Sequence, residues 1–175
     1  LREWYVRMLN LQKESAFTRG NTVLLNHANR DNPFYGKVED AGPAGHWLFA
    51  YLRSDPKGES NYLITSNFHA NAPLRHVRVR LPEAAVAALD ISPEDKGWLV
   101  LKDELSGGES AARAVKVADA IREGIYIQEQ APLSSIYWSI EKVDTLSEDV
   151  ELIPTFEAGD AFLGAPPLLR TRAGS

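Results

Sequence analysis

The chain's acidic residues include adjacent pairs, and glycoside hydrolysis requires two carboxylates. The pairs are Glu39-Asp40 in an irregular stretch, Asp103-Glu104 at the end of a predicted strand, and Glu148-Asp149 after the last strand. Neighbouring residues on a strand point to opposite faces, so Asp103 and Glu104 cannot both flank one glycosidic bond. We interpret all three pairs as solvated turn charges and predict no catalytic residue in this chain.

The histidines do not form a metal-binding pattern. His27, His46, His69 and His76 are never spaced as HxH or HxxxH, and the chain has no cysteine. Thiolate metal sites, disulfides and cysteine nucleophiles are therefore excluded. The GxSxG, HExxH, P-loop and GxGxxG motifs are absent as well. The sequence predicts neither a metal nor a cofactor.

Aromatic side chains provide the remaining chemistry, because exposed aromatic rings stack on the apolar faces of sugars. Three tryptophans lie in apolar helix or strand patterns and are expected in the core: Trp4, Trp47 and Trp138. Surface rings are expected where a strand begins and within the long irregular stretch. The candidate carbohydrate-binding residues are Trp98, Tyr35 and Phe34.

A polar cluster from residue 26 to residue 33, Asn-His-Ala-Asn-Arg-Asp-Asn-Pro, opens the same irregular stretch. Its amides and its guanidinium match sugar hydroxyls or the backbone of a neighbouring domain. Asn and Asp before Pro also build loops by bonding their own backbone. We favour the loop-building interpretation, with docking against a neighbouring domain as the role of Arg30 if it has one.

The composition is that of an ordinary globular domain. The 175 residues are 44% hydrophobic and 25% charged, with a net charge of −5. No positive field would attract nucleic acid or an anionic membrane surface. No apolar run approaches the roughly 18 residues of a membrane span, and no targeting signal is present. We expect a soluble protein without nucleic-acid or membrane partners, and the compartment stays open.

The first fourteen residues or so have helical periodicity. The apolar positions are Leu1, Trp4, Tyr5, Met8, Leu9 and Leu11. A helix of this length is marginal alone, so its apolar stripe needs a partner surface. That surface is expected to lie partly outside this chain, because the sequence starts within a helix and without Met.

From residue 21 onward, short apolar runs alternate with turn residues. Pro82 precedes a short predicted helix at 83–89. Residues 111–123 fit a helix by composition and a strand by alternation, and we favour the strand. The predicted fold is mainly β: an antiparallel β-sandwich, Greek-key-like, of about 6–8 strands with an N-terminal amphipathic helix and one short helix. The predicted divisions are 1–20 for the helix, 21–143 for the sandwich, and 144–175 for an extension or partly disordered tail.

Five segments resemble the end of α-amylase superfamily glycoside hydrolases. Residues 1–20, LREWYVRMLNLQKESAFTRG, are similar to the last helix of the catalytic barrel and its continuation. LFAYLR at 48–53 and YLITSNF at 62–68 are similar to the following hairpin. GIYI at 124–127 and PLSSIYWSI at 132–140 are similar to the closing strands. The order and spacing of these segments extend the resemblance over residues 1–143.

The resemblance implies an antiparallel β-sandwich that packs on a (β/α)8 barrel in the same polypeptide. The family's catalytic carboxylates lie on barrel strands upstream, and no residue here matches them. The implied function is a non-catalytic C-terminal accessory domain of an enzyme acting on α-glucans, with the barrel as its partner and α-glucan as a candidate ligand. Two alternatives stay open: a carbohydrate-binding module in its own right, and a β-rich protein-interaction domain unrelated to glycosidases.

Overall fold

The computed structural model describes residues 1–36, 47–108 and 110–155. The predicted Glu39-Asp40 pair, His46 and the tail beyond residue 155 lie outside these ranges. The helices are α1 (Arg2–Leu11), α2 (Ser15–Thr18), α3 (Glu83–Ala88) and α4 (Val117–Glu123), with a 3-10 turn at His27–Asn29. The strands are β1 (Asn21–Leu24), β2 (Leu48–Ser54), β3 (Asn61–Asn67), β4 (Leu74–Val79), β5 (Trp98–Asp103), β6 (Arg113–Lys116), β7 (Ile125–Gln130), β8 (Ser134–Val143) and β9 (Glu151–Leu152).

The strands of the described residues form two sheets. The large sheet has seven strands in the order β1-β2-β3-β8-β5-β6-β9, and β4 pairs with β7 in a separate two-stranded sheet. Every pairing is antiparallel except that of β6 with β9. The predicted mainly β, sandwich-like fold is confirmed. The strand that the sequence did not predict is β9, which lies within the predicted C-terminal extension.

The core lies between the inner face of the large sheet and the β4–β7 pair. In β2 the alternating residues Leu48, Ala50 and Leu52 are buried, and they contribute to one cluster with Val77 of β4 and Ile127 of β7. Strands with one apolar face favour the packing of two sheets face to face, because the alternating apolar side chains are then buried between them. The opposite side of the large sheet, carrying Tyr51, Tyr62, Ile64 and Tyr137, is called the outer face below.

Helices α1 and α2 cover one part of the outer face. Leu11 and Ala16 are buried there against Tyr62 and Ile64 in a second core cluster. The guanidinium of Arg53 donates to the backbone carbonyls of Ala16 and Phe17, both at 3.0 Å. These bonds satisfy carbonyls that a short helix leaves free at its C-terminal end. The N-terminal segment is thus fixed on the sandwich.

The segment 111–123 is half strand and half helix. The predicted strand is right for β6 but wrong for Val117–Glu123, which form α4. The backbone N–H of Val117 bonds the carbonyl of Gly97, which ends the sheet ladder and starts the helix. Val117 and Ala120 then pack into the core. Helix-forming composition determines the second half because the sheet contact stops at Lys116.

Arg78 of β4 is a buried charged side chain. Its Nη1 lies 3.3 Å from Oε2 of Glu123, and its Nη2 donates to the Pro154 carbonyl at 3.1 Å. Burial lowers the pKa of Arg78, and the Glu123 carboxylate acts in the opposite direction. Only the C-terminal half of β4, Val77–Val79, is buried on both sides, and the C-terminal extension reaches this buried pair.

Candidate functional site

The exposed side of α1 is the first candidate surface. We call Leu1, Trp4, Tyr5 and Leu9 the helix face. Trp4 is 38% exposed, Tyr5 54% and Leu9 58%, whereas Leu11 is buried and Met8 half-buried. The sequence predicted one apolar stripe, and the structure buries only its C-terminal end. Four large apolar side chains of α1 are therefore exposed, and the helix is anchored to the sandwich only through its C-terminal end.

The turn of residues 104–108 contacts α1 at Arg7. A Cβ on Gly107, whose φ is +74°, would lie 2.8 Å from Nη1 of Arg7. Only glycine allows the Arg7 guanidinium to lie this close to the turn. Burial raises the pKa of Asp103, and its carboxylate accepts the N–H groups of Leu105 and Ser106. The Arg7 contact and the buried Leu11 fix the orientation of the helix face.

A second exposed surface lies on the outer face beyond the helices. We call Trp47, Phe49, Phe68 and His69 the aromatic surface. Trp47 and Phe49 alternate with buried residues of β2, and the Phe68 N–H bonds the Trp47 carbonyl at 3.0 Å. Trp47 is 38% exposed and Phe68 60%. The Phe49 and Phe68 ring centroids are 6.4 Å apart, and those of Trp47 and His69 are 4.9 Å apart.

His69 is held in one orientation by backbone groups. Its Nδ1 accepts N–H groups from Asn71 at 3.1 Å and from Ala72 at 2.8 Å. A nitrogen that accepts hydrogen bonds carries no proton, so the ring proton is assigned to Nε2. Asn67 accepts the backbone N–H of His69 and donates to the carbonyls of Ala72, Gln130 and Ala131. The imidazole ring beside Trp47 is therefore held in a fixed orientation.

The predicted carbohydrate-binding residues do not share a surface. Tyr35 is 1% exposed and belongs to the core, so the prediction that it is a surface ring is wrong. Burial also raises the pKa of Tyr35. Phe34 is half-buried, and its carbonyl accepts the Arg78 N–H at 2.9 Å. Trp98 is half-buried on β5, where the Lys116 ammonium lies 5.7 Å from its ring centroid.

The polar cluster of residues 26–33 builds the loop that draws Tyr35 inward. Asn29 and Asn32 are buried, and their amides donate to the carbonyls of Leu25 at 2.8 Å and Arg78 at 2.7 Å. Asn29 also accepts the Arg80 N–H at 2.7 Å. The loop-building interpretation of these asparagines is confirmed. Their contacts to β4 are long-range, which the local sequence does not show.

A cleft of about 570 Å³ lies where β3 begins and β8 continues past it. It has carboxylates on several sides: Glu14, Glu59, Asp90 and Glu141. Glu59 forms an ion pair with Arg19, and Lys142 donates to the Asp90 carbonyl at 2.8 Å. Within the described ranges, no three His, Asp or Glu side chains are placed to hold a metal ion.

The predicted carboxylate pair at the end of β5 takes part in turn structure. Asp103 caps the backbone of the following turn. Glu104 instead accepts the Ser139 hydroxyl at 2.7 Å. The two carboxylates therefore have separate hydrogen-bond partners, as expected for turn charges.

Comparisons with protein families, with curated proteins and with solved structures find no match to this chain. In the described part of the chain, none of the helices has the length and apolar character that crossing a bilayer requires.

Proposed function

We propose that this chain is a non-catalytic C-terminal accessory domain of an α-amylase-type glycoside hydrolase acting on α-glucans. In this proposal the helix face docks on the catalytic barrel of the same polypeptide and stabilises it. The observation that supports docking is the exposure of Trp4, Tyr5 and Leu9 on a helix of which only the C-terminal end, at Leu11, is buried. The choice of a barrel as partner follows from the sequence resemblance.

The free energy gained by burying apolar side chains favours an interface at the helix face. Full burial of a large apolar side chain is worth about 1.5–3 kcal/mol. An isolated exposed leucine is ordinary, but adjacent apolar side chains on one surface mark interaction sites. Trp4 and Tyr5 have centroids 5.2 Å apart in an edge-on contact, so they form one aromatic unit. Aromatic residues of this kind are enriched in the buried centres of interfaces.

The partner that fits the helix face is an apolar surface of another folded unit. The exposed residues carry no charge, so the complementary surface needs no salt bridges. A neighbouring helix would pack its ridges between Trp4, Tyr5 and Leu9 as helices do in ordinary cores. The last helix of a barrel lies between its neighbours in the ring of helices, which is the environment that the helix face lacks here.

The docking can be tested by comparing stability in two proteins. In the longer polypeptide that includes the upstream residues, Leu9→Ser is expected to lower the free energy of unfolding by about 2 kcal/mol, because a buried apolar contact is lost. In the 175-residue chain the same change should alter stability by no more than about 0.5 kcal/mol. Chemical denaturation of both proteins measures the difference.

Leu11→Ala is the matched control, since Leu11 is buried by the sandwich itself. It should destabilise both proteins by about 2–3 kcal/mol. An equally small effect of Leu9→Ser in both proteins would exclude docking through the helix face. An upstream sequence without a barrel and its catalytic carboxylates would reject the amylase assignment and favour an unrelated interaction domain.

A further inference from the structure

Arg7 of α1 is a half-buried cation for which the described residues provide no hydrogen-bond partner. Its Nε is covered by the protein and donates to no described atom. None of the ion pairs among the described residues includes Arg7. A guanidinium has five N–H donors, and a donor that is covered without an acceptor destabilises the fold. The head of the Arg7 side chain is therefore available to an anionic ligand.

The turn that Arg7 contacts exposes two backbone donors. Gly107 and Gly108 are both exposed, with φ of +74° and +87°, and neither N–H donates to the carbonyl of a described residue. Successive N–H groups in a turn form concavities that bind anions. A Cβ on Gly107 would lie 2.8 Å from Nη1 and 3.2 Å from Nη2 of Arg7. Both ends of the guanidinium fork therefore lie beside the glycine turn.

Hydrogen bonds that do not use these two donors fix the shape of the turn. The Asp103 carboxylate accepts the N–H groups of Leu105 at 3.0 Å and Ser106 at 3.2 Å. The Ser106 hydroxyl donates to the Asp103 carbonyl at 2.9 Å, and the Ser110 hydroxyl donates to Oγ of Ser106 at 2.8 Å. Burial raises the pKa of Asp103 and the nearby charge of Arg7 acts in the opposite direction, although the two side chains form no ion pair. The turn is thus preorganised, which lowers the cost of binding a ligand.

We propose that Arg7 and the N–H groups of Gly107 and Gly108 form a binding site for a phosphate group. A phosphate has enough acceptor oxygens to take hydrogen bonds from the guanidinium fork and from both N–H groups at once, whereas a carboxylate has only two oxygens. In a P-loop a lysine follows the glycines, and the chain has no such motif. Here the cation comes from α1 instead. The site rests neither on docking through the helix face nor on the amylase assignment.

The surrounding charges make binding at this site weak and local. The chain has a net charge of −5, and Asp103 and Glu104 lie at the same turn. Coulomb repulsion opposes the approach of any anion, so binding depends on the directed hydrogen bonds from Arg7 and the glycine turn. Phosphate is not expected to accumulate elsewhere on an acidic chain by charge alone. A response confined to the turn therefore reports the site.

Nuclear magnetic resonance titration of the isotope-labelled 175-residue chain with inorganic phosphate tests the proposal, with sodium chloride holding the ionic strength constant. The N–H cross-peaks of Gly107 and Gly108 should shift saturably, with a dissociation constant on the order of a few millimolar. Arg7→Met keeps an apolar stem but loses the charge, and it should weaken binding at least about tenfold. Arg7→Lys keeps the charge without the planar fork, so its affinity should lie between those of wild type and Arg7→Met.

Arg2→Met is the matched control, because Arg2 is an exposed arginine on the same helix. It should bind phosphate with an affinity within about twofold of the wild type. The same spectra show whether each variant is folded, and the wild-type titration decides the proposal even if Arg7→Met does not fold. Absence of saturable shifts at Gly107 and Gly108 in the wild type, or equal affinity of the wild type and folded Arg7→Met, would overturn the proposal.

A second titration with glycerol phosphate distinguishes two sources of the phosphate group. Tighter binding of this monoester than of inorganic phosphate would assign the site to an esterified phosphate, and equal or weaker binding would assign it to the free ion. The docking proposal fails or holds separately, because its variants change Leu9 and Leu11, which take no part in the phosphate site.

Discussion

Asp55 follows β2 and fixes the turn to β3 against the N-terminal segment. Hydrogen bonds from the Ser15 hydroxyl and the Lys57 N–H lower the pKa of Asp55 to about 2, and Arg19 adds to the shift. The carboxylate itself is fully covered, whereas Arg19 is half exposed. A single residue thus ties the start of α2 to the β2–β3 hairpin.

The lowered pKa of Asp55 predicts an acid-dependent contribution to stability. Because the folded value is below the unfolded value of 3.8, the contribution is present above about pH 4 and is lost as the pH falls towards 2. Wild type should be more stable than Asp55→Asn at pH 7, and the two should converge near pH 2. Urea unfolding at a series of pH values measures this. A constant difference over that range would contradict the role given to the ionised carboxylate.

Single residues also explain which parts of the site were predictable. Trp47 lies in an apolar run and was predicted to be buried, but the period of two places it with Phe49 and Tyr51 opposite the buried Leu48. That alternation was the available signal for the aromatic surface. It could not show that Phe68 lies beside Trp47, because strand register is a tertiary property. The burial of Tyr35 likewise depends on contacts of its loop with β4.

At the scale of elements, the sequence predicted the helices and strands for which the apolar pattern and the flanking turn residues indicate the same structure. β2, β3 and β8 are apolar runs bounded by turn residues, and Pro82 precedes α3 as expected. Residues 117–123 were not assigned correctly, because alanine, valine and isoleucine suit both a strand and a helix there. The switch at Lys116 is set by the end of pairing with β5 and by the Val117 N–H bond to Gly97.

Gly124 ends α4 and allows β7 to pack against β4. Its φ is +83°, and a Cβ there would lie 2.6 Å from the Val79 carbonyl oxygen. Gly124→Ala is therefore expected to lower the free energy of unfolding by about 3 kcal/mol, from backbone strain and the steric contact together. Thermal and denaturant unfolding measure the change.

Gly58→Ala is the control for Gly124→Ala. Gly58 also has a positive φ, +71°, but no atom lies within 4 Å of its Cβ position. Gly58→Ala should lower the free energy of unfolding by only about 1 kcal/mol. If both substitutions cost the same, the contact with Val79 would not contribute, and the position of α4 would need another explanation.

At the scale of the molecule, the large sheet has one side buried in the sandwich and one side only partly covered. Leu11 of α1 and Ala16 of α2 pack on the outer face at Tyr62 and Ile64, and the helix face is exposed. The aromatic surface lies on the same face, outside the part that α1 and α2 cover. The sequence predicted the mainly β fold and the need of α1 for a partner. The separation of the two surfaces emerges only from the three-dimensional arrangement, because it depends on where α1 packs.

The docking of the helix face on a barrel is the central claim, and hydroxyl-radical footprinting tests it directly. The 175-residue chain and the longer polypeptide with the upstream residues would be oxidised in parallel, and labelled side chains quantified by mass spectrometry. We predict that Trp4, Tyr5 and Leu9 are modified in the chain alone and protected several-fold in the longer protein. Phe68 should be modified in both. Equal modification of Trp4, Tyr5 and Leu9 in the two proteins would contradict the account.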